Sequence, residues 1–200
     1  HANLNLHDDQ GSGLSFYTNR EDTIAKQDMT FELSRINLKE FRRILPYMPD
    51  IEGWIGAEAH YIDSGPYMMV SSDLRVDEFK YEGSALGNWE FSGVYLPGEE
   101  KDHHLDAYIR RDGKEIAHLG GIYLPAAEGT GSLSADMAFE HFPLNVVNPF
   151  VPDRMVELNG DIDGTLSMKG DPAKPLLNGE LALDSVTFFM PEMSAMFRFD

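Results

Sequence analysis

The chain has 200 residues, 34 acidic against 16 basic, and a formal charge of -18, a field that repels polyphosphate and so excludes nucleic acid as a partner. It has no cysteine, which removes disulfides, thiolate zinc sites and cysteine nucleophiles together. It has no run of Lys and Arg to dock electrostatically on anionic headgroups, so any lipid contact is through apolar surface, and no stretch approaches the roughly 18 consecutive apolar residues of a spanning helix or the pattern of a signal peptide.

The opening residues His1-Ala2-Asn3-Leu4-Asn5-Leu6 alternate as a half-buried strand does. Gly11-Ser12-Gly13 marks a turn, and Leu14/Phe16 and Phe31/Leu33 carry the alternation on. Leu38, Phe41, Ile44 and Leu45 then fall at i, i+3, i+6 and i+7, one face of a short helix that Pro46 stops. A long strand follows, with Ile51, Gly53, Ile55, Ala57, Ala59 and Tyr61 on one face. Residues 62–130 are irregular, and their register is left open, although Trp89/Phe91 and Leu105/Ala107/Ile109 alternate. Pro97-Gly98 punctuates this stretch, and Asp112-Gly113 predicts a hairpin joining Asp106–Arg111 to Lys114–Leu119. Leu133, Ala135, Met137 and Phe139 form another alternating run.

Leu144, Val147, Phe150 and Val151 repeat the earlier helical spacing, with Pro152 as the stop. Leu158, Gly160, Ile162, Gly164, Leu166 and Met168 then match the strand that begins at Ile51. This is a degenerate repeat near 36–61 and 142–168, with a period of roughly a hundred residues, as in stacked, elongated architectures. Asn178-Gly179 reads as a further turn. Phe197-Arg198-Phe199-Asp200 alternates as the start does, so both ends read as cut from something longer. The expectation is an all-β, elongated and curved antiparallel sheet of a dozen or more strands, with one or two short helical turns, as a single domain across 1–200.

Catalytic and metal-binding patterns are weak. His103 and His104 lie near Asp102 and Asp106, but neighbours on a strand point to opposite faces. Asp161-Ile162-Asp163-Gly164 has the look of a calcium loop, yet residue 170 is Gly where a bidentate Glu is needed. Glu99, Glu100 and Asp102 read as a solvated loop tip. There is no nucleophile elbow and no phosphate-binding glycine loop before a helix. The expectation is a protein that is not an enzyme and takes no cofactor or metal. Met is abundant, ten in all, and flexible thioethers suit either an adaptable apolar surface or an ordinary core.

From Phe142 onward the succession Leu158-Asn159-Gly160-Asp161-Ile162-Asp163-Gly164-Thr165-Leu166, Gly170-Asp171-Pro172 and Pro175-Leu176-Leu177-Asn178-Gly179-Glu180-Leu181-Ala182-Leu183 resembles the C-terminal domain family of TamB. The segment from Leu38 to Tyr61 resembles a weaker copy of its first half. The resemblance covers under half of the chain. It implies the β-taco fold, a trough apolar inside, and a setting in the Gram-negative periplasm within a parent protein anchored in the inner membrane. It further implies cooperation with an outer-membrane barrel of the Omp85 type, through regions outside these residues, in outer-membrane protein assembly and phospholipid movement.

Physically, Gly160, Gly164 and Gly179 lack side chains where a long sheet bends sharply. The residues expected to line a groove for acyl chains or β-segments are Ile55, Ala59 and Tyr61 in the first copy. They are joined by Leu133, Met137 and Phe139, by Ile162, Leu166 and Met168, and by Leu181 and Leu183. The alternative from a different class is a closed β-sandwich that binds carbohydrate or acts as an adhesin-like module, with Tyr17, Trp54, Trp89 and Tyr95 stacking on sugars.

Overall fold

The computed structural model describes residues 3–9, 11–18, 27–45, 47–65, 68–98, 101–126, 129–151 and 155–199. Pro46, Pro152, the pair Glu99 and Glu100, the side chain of Ile44, and His1, Ala2 and Asp200 lie outside them.

Among the described residues twelve strands form one antiparallel sheet in chain order. They are β1 (Asn3–His7), β2 (Gly13–Thr18), β3 (Gln27–Asn37), β4 (Ile51–Asp63), β5 (Met68–Tyr81) and β6 (Ser84–Pro97), then β7 (His103–Arg111), β8 (Lys114–Leu124), β9 (Ser132–Pro143), β10 (Glu157–Gly170), β11 (Leu176–Met190) and β12 (Ala195–Phe199). The first and last strands do not pair, so the sheet is curved but not closed. A short helix, α1 (Leu38–Ile44), enters β4, and a 3-10 segment, η1 (Leu144–Phe150), precedes β10. A three-residue 3-10 turn, η2 (Pro191–Met193), joins β11 to β12.

The local chemistry explains these elements. Asp112 (φ 50) and Gly113 (φ 78) give the β7–β8 hairpin two left-handed central residues, the twist such a turn requires. Asn37 caps α1 by accepting a hydrogen bond from the backbone N–H of Lys39. Glu52 on β4 binds Lys39 of α1 at 2.8 Å and Lys80 of β5 at 3.5 Å, and the hydrogen bond from Lys39 above all holds its carboxyl below the usual range.

Three expectations are corrected. Asn178-Gly179 is not a turn but lies inside β11, because Gly179 is needed where two backbones touch: a Cβ there would stand 2.1 Å from the Thr165 carbonyl oxygen. The second helical segment is 3-10 rather than α, with Pro149 inside it, so its buried residue is Val146 and not Val147. The described residues of 62–130 belong to β4–β8 and their connections, with register shifts at Val76/Phe79, Phe79/Lys80 and Ile109/Arg110. The β6–β7 ladder runs unbroken from Trp89↔Arg111 to Pro97↔His103.

Pairing aligns the alternation across the sheet. One row runs from Leu6, Leu14 and Leu33 through Ala57 and Leu74 to Phe91, Ile109 and Ala117, and on to Phe139, Gly164 and Leu181. These residues share one face, the inner one. On the other face Glu32, Glu58 and Asp73 stand opposite one another. Among the described residues no second layer covers the inner face. The accessible surface is 13506 Å², against about 9500 Å² for a compact monomer of this mass. The closed sandwich of the alternative reading is therefore not what the chain forms. Its four proposed sugar-stacking rings are also divided, Tyr17 and Trp54 outside, Trp89 and Tyr95 inside.

Candidate functional site

The inner face narrows to a recess of about 500 Å³ over β5–β9. Its origin is a run of small residues: Ser72, Gly93 and Ala107 stand opposite one another on β5, β6 and β7, with Ala117 beside Ile109. Around that hollow stand Leu74, Phe91, Leu105, Ile109, Leu119, Met137, Phe139 and Phe142, with Phe139 and Phe142 meeting edge to face at 5.7 Å.

One end of this trough is closed. Asn148 of η1 donates to the Leu158 carbonyl and accepts from its N–H, both at 2.8 Å, which pins η1 to β10. Phe150 then packs on Tyr81 at the end of β5, ring centroids 4.5 Å apart, so η1 reaches across the width of β6–β9. The buried apolar residues Val76, Leu86, Ile116 and Val146 all lie toward this end. Trp89 and Arg111 also stand there, the indole and guanidinium both donating to the Leu86 carbonyl, at 3.0 and 2.9 Å. Arg111 has Asp112 at 3.8 Å as well.

The other end carries a rim of polar rings. Tyr95 stacks on His103, centroids 5.6 Å apart, and Tyr123 lies tilted against His103 at 5.8 Å. The Tyr95 hydroxyl is hydrogen-bonded to His103 Nδ1, and the Tyr123 hydroxyl donates to the Thr130 carbonyl at 2.9 Å. From His103 to Ile109 is about 20 Å along the strand.

Charge divides between the faces as sharply as hydrophobicity. Over the spans Trp89–Pro97, His103–Arg111, Ala117–Tyr123 and Leu133–Phe139, no inner-facing residue is Asp or Glu, in a chain with 34 of them. Outside, His60 pairs with Asp28 at 2.7 Å, His104 with Asp102 at 2.6 Å and His118 with Asp106 at 2.8 Å. Tyr108 stacks on His118 at 4.3 Å, and the Asp106 charge above all raises its hydroxyl pKa. His103 and His104 thus face opposite ways, and among the described residues no group of three or more His, Asp or Glu side chains is placed to hold a metal.

The eleven residues singled out from the sequence all stand on the inner face, but the recess brings together only Met137 and Phe139 of them. Ile55 lies between Ile36 and Val76, Ala59 between Phe31 and Ser72, and Tyr61 between Met29 and Val70. Leu166 is flanked by Met137 and Gly179, Met168 by Ala135 and Leu177, and Ile162 by Phe142 and Leu183. Leu133 reaches the rim beside Tyr123. Leu181 and Leu183 are exposed, at 43% and 42%. Sequence reasoning missed Leu74, Phe91, Leu105, Ile109 and Leu119. The alternation around Phe91 and Leu105 was a usable signal, but the hollow depends on Ser72, Gly93 and Ala107 coming into register.

No family model, no curated protein and no solved structure matches the chain.

Proposed function

We propose that the chain is a non-enzymatic, TamB-like protein of the periplasm that supports outer-membrane biogenesis by holding phospholipid acyl chains, as they move between inner and outer membranes, in its apolar trough. The observation that carries this reading is the recess over β5–β9, apolar, free of carboxylates and uncovered by any second layer among the described residues. An uncovered apolar face stabilises a guest by about 0.8 kcal/mol for each methylene it removes from water. The acidic outer face keeps such a protein soluble while its inner face stays greasy. No reaction is required of any residue.

The test is Met137→Asp. Phospholipid retained by the wild-type chain in native mass spectrometry is expected to be lost from the variant, with the circular dichroism unchanged. Equal retention would remove the trough from the account. Crosslinks from Met137 and Leu119 positions to an unfolded outer-membrane protein, with no lipid retained, would transfer the site to a protein segment as guest.

A further inference from the structure

The recess is apolar along its length but differs at its two ends, and this asymmetry bears on what a guest looks like. At the closed end, the indole of Trp89 and the Nε of Arg111 are committed to the Leu86 carbonyl, and Asp112 stands near the guanidinium. At the rim, Tyr123 is committed to Thr130, whereas His103 uses Nδ1 for Tyr95 and its Nε2 makes no hydrogen bond among the described residues. Where the tyrosine hydroxyl donates to Nδ1, the ring proton resides on Nε2, which is then a donor. Leu105 connects rim to recess: it lines the recess, stands opposite Tyr95 and is one inner-face step from His103.

We infer that His103, positioned by Tyr95, is a head-group site for a single-headed acyl amphiphile whose head accepts a hydrogen bond through a carboxylate or phosphate oxygen, the tail lying in the recess toward η1. The inference rests on the reading of the trough as an acyl-chain site. The absence of inner-facing Asp and Glu over β6–β9 is what admits an anionic head into a chain of charge -18.

The experiment measures displacement of an apolar dye from the intact chain by palmitate, lysophosphatidic acid and hexadecane, for wild type, His103→Phe and Tyr95→Phe. His103→Phe keeps a ring on Tyr95 and removes the imidazole nitrogens, and thermal melts check that both variants are folded. The acidic probes are expected to weaken about tenfold with His103→Phe, the loss of one hydrogen bond to a charged group, and by less with Tyr95→Phe, while hexadecane is unaffected. The acid that binds wild type more tightly identifies the head as carboxylate or phosphate. If all three probes respond alike to His103→Phe, the head-group site is overturned and the trough stands. If none of the three displaces the dye from wild type, the trough reading itself fails, and the inference with it.

Discussion

Single residues set the bend of this sheet. At Glu78 and His141 the backbone takes the left-handed conformation, φ 52 and 46, which inserts an extra residue into the strand. Each leaves a backbone N–H without a ladder partner, and a side chain supplies one: Asn88 accepts from Glu78 at 2.9 Å and Asp163 from His141 at 2.8 Å. Glycines serve the same bend from the opposing strand. Gly160, at φ 96, would carry a Cβ 2.7 Å from the Asp184 carbonyl and from the Cα of Val186, and Gly164 would carry one 2.2 Å from the Glu180 carbonyl. Gly179→Val, whose Cβ would stand 2.1 Å from the Thr165 carbonyl, is therefore expected to destabilise the fold by about 3 kcal/mol or more. Gly56→Ala, with 3.5 Å to its nearest neighbour, the Leu33 carbonyl, is expected to be tolerated. Urea midpoints for the two variants measure the contrast, and similar losses would refute a steric role for Gly179.

Among the elements, α1 and η1 differ in how they are held although they occupy like places before β4 and β10. The helix α1 has an N-cap and the Glu52 clasp to Lys39. The 3-10 segment has no side-chain cap and contains Pro149, so its attachment rests on Asn148, the buried Val146 and the Phe150–Tyr81 contact. Asn148→Ala leaves both polar groups of Leu158 without their partner, a cost of about 1–3 kcal/mol. The closed end of the trough is then expected to loosen before the sheet does. Amide exchange should quicken at Leu158 and Val151 and remain slow at Ala107 and Leu119; uniform acceleration would show that η1 and the sheet open as one unit.

At the scale of the molecule, a single curved layer leaves an unusually small core. Among the described residues even the most buried apolar one, Leu86, keeps 4% of its surface, and the ladder hydrogen bonds with cross-strand side-chain pairs hold the sheet between its buried spots. The net charge of -18 on so open a shape opposes folding, since Glu32, Glu58 and Asp73 stand side by side on the outer face. Raising salt shortens the Debye length from about 30 Å at 0.01 M to about 3 Å at 1 M. The melting temperature is therefore expected to rise across a sodium chloride series. A fall would mean that the His–Asp and Lys–Glu pairs outweigh the repulsion.

What the sequence determined by itself was whatever has a short period. Alternation along Leu105-Asp106-Ala107 or Leu133-Ser134-Ala135 specifies a strand and its two faces without reference to any neighbour, and the Leu38–Leu45 spacing specifies α1 in the same way. The left-handed residues that shift the register, Arg35, Glu78, His141 and Ser185, carry no signal of their own, because none is glycine or asparagine. The recess, the closed end and the polar rim therefore belong to the tertiary structure. A one-residue shift decides which side chains stand opposite each other, and only in register do Ser72, Gly93 and Ala107 meet to leave a hollow.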